Sequence, residues 1–148
     1  MRNTVFETSQ YYHIYNRGNN KRPVFLDKFD LARFLESILL FNTEEPIGSI
    51  YQNSFKKDPL SGSTTKLVEI ISYCLNPNHY HILLKQSIDE GIPKFMHKLG
   101  TGYTRFFNEK YKGSGSLFQG RYKSIEINSN EYLLHLSSYV NLNYEIHG

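Results

Sequence analysis

His79-Tyr80-His81 is the tightest grouping of chemistry-bearing side chains in this 148-residue sequence. Residues i and i+2 of a β-strand point to the same face. On a strand, therefore, the two imidazoles would converge where one metal ion could bind both. The competing reading is two polar residues at a strand end. A second grouping lies near the C-terminus, where Tyr139 and Asn143 are four residues apart. On a helix they are neighbours on the side that carries Tyr132 and Leu136, beside Leu133 and Val140. An inward Asn needs hydrogen bonds or a metal to satisfy its amide, although a core Tyr bonded to a core Asn meets the same need. Cys74 is the single cysteine, which excludes an internal disulfide framework and a Cys-based zinc site. No Gly-Lys phosphate-cradling loop of the G-x-x-x-x-G-K-[ST] type occurs.

A third feature is diffuse. The chain has 12 Tyr and 10 Phe but no Trp, and a net charge of +3. Residues 85–125 carry eight basic side chains against Asp89, Glu90 and Glu109, a net of +5 that leaves −2 for the remainder. Cations interleaved with rings suit single-stranded nucleic acid, whose phosphates meet the charges and whose bases stack on the rings. Arg121, Lys123, Arg105 and Lys98 are the candidates for phosphate contacts, and Phe118 and Tyr122 for stacking. Gln119 could contact nucleic acid or bond within a strand. Solvated charges and core rings are the plainer reading of the same residues. Tyr103 is a rival hydroxyl, but it continues the stripe Ile92-Phe95-Met96-Leu99 and reads as core. His97 and His135 have no spaced partner.

These residues need elements to position them. Gln10 to Arg17 reads as a first strand, ended by Gly18-Asn19-Asn20. Lys28 to Phe41 has a helical apolar period, with Asp27 as N-cap. Thr43 to Thr65 collects Gly, Ser, Pro, Asn and Lys and reads mostly as loop. Leu67 to Leu75 is β-branched and apolar, and Asn76-Pro77-Asn78 turns it into a hairpin partner from His79 to Lys85. Gly91 to Asn108 is a second helix, Leu117 to Ile127 a fourth strand, and Asn128 to about Asn143 a last helix with Asn128 and Glu131 spaced like a capping box. The order β-α-β-β-α-β-α predicts an α+β sandwich of ferredoxin-like type, a mostly antiparallel sheet with two helices on one face and a third helix bearing Tyr139. Such a fold assigns no chemistry by itself.

Three stretches occur in order: Tyr73-Cys74-Leu75-Asn76-Pro77-Asn78-His79-Tyr80-His81-Ile82-Leu83-Leu84, then Leu117-Phe118-Gln119-Gly120-Arg121-Tyr122-Lys123-Ser124, then Tyr132 to Asn143. Together they resemble the IS200-like (Y1) transposases, and most closely their REP-associated tyrosine transposase branch. The resemblance runs from about Tyr12 to Asn143. It implies that His79 and His81 are the family's metal-binding pair, with Tyr80 where most members have an aliphatic residue. It implies further that Tyr139 is the nucleophile and that Asn143, one turn on, completes the metal site. The cofactor would be Mg²⁺ or Mn²⁺, and the partners single-stranded hairpin DNA and a second copy of the chain. The resemblance thus implies an enzyme that cuts and rejoins single-stranded DNA through a 5′-phosphotyrosine. Two rivals stand beside it. One is a ferredoxin-like module that holds single-stranded nucleic acid without cutting it. The other is a hydrolase in which His79 and His81 hold a zinc-bound water.

Length and composition set the outer bounds. Hydrophobic residues at 39% and charged ones at 21% are those of an ordinary globular chain. Residues 1–148 read as one domain. No apolar run reaches the roughly 18 residues of a membrane span, and the first residues lack a signal-peptide core. The expectation is a cytoplasmic protein with no membrane partner.

Overall fold

The computed structural model describes residues 5–45 and 65–129. Strand β1 (Tyr11–Arg17) leads through a 3-10 turn at Asn19–Lys21 into helix α1 (Lys28–Leu40). Strands β2 (Val68–Asn76) and β3 (His79–Gln86) form a hairpin, followed by helix α2 (Gly91–Tyr111) and strand β4 (Lys123–Ile127). The strand order is β2-β3-β1-β4, and every pairing among the described strands is antiparallel. β3 therefore sits between β1 and β2, which makes β1-α1-β2 the split β-α-β unit of a ferredoxin-like sheet. No described helix is long and apolar enough to cross a membrane.

Alternation along the two central strands decides which face the helices cover. Tyr12 and Ile14 of β1 and Tyr80, Ile82 and Leu84 of β3 are buried in one cluster with Phe34 and Ile38 of α1 and with Ile92, Phe95, Leu99 and Tyr103 of α2. Both helices thus cover the same face, and the residues between those core positions point to the other.

Local chemistry sets the ends of the elements. Asp27 caps α1, its Oδ1 accepting from the Phe29 and Asp30 amides at 3.0 and 2.9 Å. The fully buried Asp30 accepts from the Leu26 amide at 2.9 Å, the Lys110 ammonium at 2.8 Å and the Tyr111 hydroxyl at 2.6 Å. Those last two bonds explain why α2 runs to Tyr111 rather than stopping at Asn108: a buried carboxylate on another helix holds its final turn. The hairpin tip docks on the segment after β1, with the Pro77 carbonyl accepting from the Val24 amide and the Asn78 carbonyl from the Gly18 amide, both at 2.8 Å. Only glycine fits at position 18, because a Cβ there would lie 2.1 Å from the Arg22 carbonyl oxygen.

One expected element is shorter than its sequence suggests. Regular β4 begins at Lys123, not Leu117. Leu117 and Phe118 are buried and meet the chain after β1 through an isolated Gly18–Phe118 bridge. Gly120, at φ 65°, then turns the backbone out of the extended region before pairing with β1 resumes. Most of the Thr43 to Thr65 stretch, and the last helix with Tyr139 and Asn143, lie outside the described residues.

Candidate functional site

The sheet face away from the helices carries the histidines. Register places Tyr15 opposite His81 and Arg17 opposite His79. On the outer side Cys74 pairs with His81 and Asn76 with His79, and Lys123 pairs with Tyr15. Two rows of side chains therefore cross this face, Asn76-His79-Arg17 and Cys74-His81-Tyr15-Lys123. The His79 and His81 rings stand 5.2 Å apart and nearly perpendicular. A pocket of about 220 Å³ opens between Tyr15, Arg17, His79, His81 and Lys123.

His81 and its neighbour His13 are held in their neutral forms. His81 is pushed down to a pKa of about 4, first by burial and then by the neighbouring His13 and His79. Burial lowers His13 as well, so both rings are neutral at pH 7. His81 Nδ1 lies 2.9 Å from His13 Nε2. His79 Nδ1 lies 2.7 Å from Asn78 Oδ1, an acceptor, so the ring proton sits on Nδ1. That leaves Nε2 with its lone pair, which accepts from the Asn76 amide nitrogen at 3.0 Å. The same amide nitrogen faces Cys74 Sγ at 3.3 Å, while Asn76 Oδ1 is buried with no hydrogen-bond partner among the described residues. Burial raises the Cys74 thiol, which behaves as a small neutral side chain.

Imidazoles on one face suit a divalent cation: His81 stays neutral, and the His79 Nε2 lone pair, which here accepts from the Asn76 amide, would exchange that donor for the metal. The orphaned Asn76 oxygen beside His79 is a further uncommitted donor. Among the described residues no three His, Cys, Asp or Glu side chains converge on one point. A metal held by the histidine pair would need further ligands, and the one expected from the sequence, Asn143, lies outside the described residues with Tyr139.

Of the seven expected DNA-contacting residues, five divide between two pockets. Arg105, Arg121, Phe118 and Tyr122 line a larger groove of about 780 Å³ together with Phe6 and His97. Phe118 is largely buried there, edge-on to Tyr80 at 5.5 Å. Lys123 instead lines the histidine pocket. Gln119 neither lies in a strand nor faces outward alone, since its Oε1 accepts from Arg17 Nε at 2.6 Å and steadies that guanidinium. Lys98 lines neither pocket, and its ammonium donates to the backbone carbonyls of Thr43 and Glu45. The rival hydroxyl of Tyr103 is fully buried and donates to the Val24 carbonyl at 2.5 Å. Desolvation raises its pKa well above the ordinary phenol value, so it is core.

Sequence reasoning missed His13, Tyr15 and Arg17. The signal was present: in Tyr11–Arg17 these three occupy alternate positions, opposite to Tyr12, Ile14 and Asn16. Recognising them needs the β1–β3 pairing, which no local pattern supplies.

A family model described as "Transposase IS200 like" matches residues 6–143. The chain is also similar to the structure of a REP-associated tyrosine transposase bound to a REP hairpin, with TM-score 0.65 and 13% identity over 100% of this chain and 74% of that one. At that identity the likeness concerns the fold. A 1.90 Å crystal structure of a candidate transposase from Deinococcus radiodurans R1 has TM-score 0.49 and 18% identity over 97% of this chain and 96% of that one. Among curated proteins none matches.

Proposed function

The chain belongs to the IS200-like transposase family, and on that premise we propose that it nicks and rejoins single-stranded DNA near hairpins, with Tyr139 as nucleophile and Mg²⁺ or Mn²⁺ held by His79, His81 and Asn143. The observation that carries this reading is the histidine pair: two imidazoles on one sheet face, His81 held neutral by burial, in a pocket edged by Arg17 and Lys123. The two cations supply the charge that phosphates require, and Arg17 is preset by Gln119. Arg105, Arg121 and Tyr122 give the larger groove the mix of charge and rings that suits an unpaired strand.

A bound divalent cation supplies polarisation of a non-bridging phosphate oxygen. Tyr139 has a phenol whose ordinary pKa is about 10, so it becomes a competent nucleophile as its proton leaves. Attack of its oxygen on phosphorus forms the Tyr139–phosphate bond and breaks the bond to the 3′ oxygen. The products are a 5′-phosphotyrosine and a free 3′-hydroxyl. Attack by a 3′-hydroxyl reverses the step, and the phosphodiester energy is retained throughout, so no nucleotide cofactor is required. We assign the active form to a homodimer.

The test is incubation of the full chain with labelled single-stranded hairpin DNA and Mn²⁺, followed by a denaturing gel. A slowly migrating, protein-linked band is expected, absent with EDTA and in His79→Ala and His81→Ala. Those two variants keep DNA affinity, because phosphate contacts supply most of it. Tyr11 and Tyr15, half-buried on the face of the central strand that carries the histidines, favour a second reading, a binding module that stacks bases without cutting. Tight binding with no adduct under any metal condition would establish that reading instead.

A further inference from the structure

We propose that His13 is a positioning residue: its Nε2 takes the Nδ1 proton of His81 and so holds His81 with the Nε2 lone pair directed to the metal. The inference rests on the metal reading of His79 and His81 and goes beyond it to a residue outside the ligand set. The contact between the two rings is 2.9 Å, so one proton lies between His13 Nε2 and His81 Nδ1. Two arrangements are open. If His13 donates, His81 Nδ1 is the acceptor and the only proton of a neutral His81 ring sits on Nε2, where it blocks a metal. If His81 donates, its Nε2 is bare and His13 carries its own proton on Nδ1. Metal binding at His81 Nε2 requires the second arrangement.

The fold holds His13 for this task. It lies on β1, a central strand, and is 9% exposed. Its ring stacks on His81 at 5.1 Å and tilts against Tyr15 at 5.0 Å, so it is braced on two sides. Metal-bound histidines ordinarily pass their second ring proton to a carboxylate, a backbone carbonyl or water. Here the acceptor is a neutral imidazole, and no acidic side chain lines the histidine pocket. That choice orients the ligand without placing a negative charge next to an incoming phosphate.

The experiment uses the full chain without DNA. Mn²⁺ affinity is read from the free-ion EPR signal in wild type, His81→Ala, His13→Phe and His13→Gln, with thermal melts to confirm folding. His13→Phe keeps a ring of similar size but has no acceptor, and affinity should fall by about 10- to 100-fold. His13→Gln returns a neutral acceptor and should recover most of that loss. Independently of any variant, long-range ¹H–¹⁵N spectra of the wild type saturated with Mg²⁺ should show His81 protonated on Nδ1 and bare at Nε2. Wild-type Mn²⁺ affinity in His13→Phe, or an Nε2-protonated His81 in the Mg²⁺ form, overturns the role of His13 and leaves the metal pair standing. Equal Mn²⁺ affinity in wild type and His81→Ala overturns both.

Discussion

Two tyrosines separate chemistry from packing. Tyr103 is fully buried and spends its hydroxyl on the Val24 carbonyl. Tyr103→Phe should therefore cost about 1 kcal/mol of stability, the worth of one hydrogen bond, and leave DNA cleavage intact. Tyr139→Phe removes one oxygen from the proposed nucleophile and should abolish cleavage while DNA affinity persists. Parallel urea unfolding, gel-shift and cleavage assays distinguish the two. His81 gives a pH signature in the metal-free protein. Its folded pKa of about 4 lies below the ordinary 6.5, so between those values the unfolded chain binds a proton that the folded chain refuses. Stability contributed by the neutral ring is complete above pH 6.5 and declines as pH falls toward 4. Below that both states are protonated and this loss levels off. Urea midpoints measured in EDTA should show this decline, and His81→Asn should reduce its slope. A wild-type slope that His81→Asn leaves unchanged would contradict the assignment.

The elements hold those residues through a few polar clamps. Asn42, just after α1, accepts from the Leu67 and Val68 amides at 3.0 and 2.9 Å and donates to the Val68 carbonyl at 2.7 Å. All of these groups are buried, so Asn42→Ala should orphan them and cost about 3 kcal/mol, read as a lower urea midpoint. The metal affinity of the folded fraction should not change, since the clamp touches neither histidine. Much of this architecture was legible in advance. Asp27 announced α1 because capping is local, and the Asn76-Pro77-Asn78 turn after an apolar strand announced β3, on which the i, i+2 spacing gives His79 and His81 a shared face. The last turn of α2 was not legible, because Asp30 holds Lys110 and Tyr111 from 80 or more positions away. Nor was the late start of β4: Leu117-Phe118 has the composition of a strand, but those rings and methyls are used in the core and Gly120 diverts the chain. The spacing of His13, Tyr15 and Arg17 predicts a strand and no role, because their meaning comes from the strand they pair with.

Across the whole molecule the sandwich separates its tasks by face. One face packs against both helices, and the other presents the histidine pair with cations at its edge. In the proposed reading affinity and cleavage rest on different side chains, the cations and the histidine pair, so each can be varied separately. If Arg17, Lys123, Arg105 and Arg121 each neutralise one phosphate, the logarithm of affinity for a single strand should fall with the logarithm of salt at a slope of about −3. Replacing all four should flatten the slope without touching the metal pair, and a wild-type slope near zero would argue against a nucleic-acid partner. The central claim, a metal-assisted attack by Tyr139 on single-stranded DNA, is tested most directly by mass spectrometry of the covalent adduct. Wild-type protein incubated with hairpin DNA and Mn²⁺ should yield a nucleotide attached through its 5′ phosphate to the peptide containing Tyr139, and none in EDTA. An adduct on another residue, an adduct undiminished in EDTA, or DNA that is bound tightly and recovered intact with no adduct would contradict it.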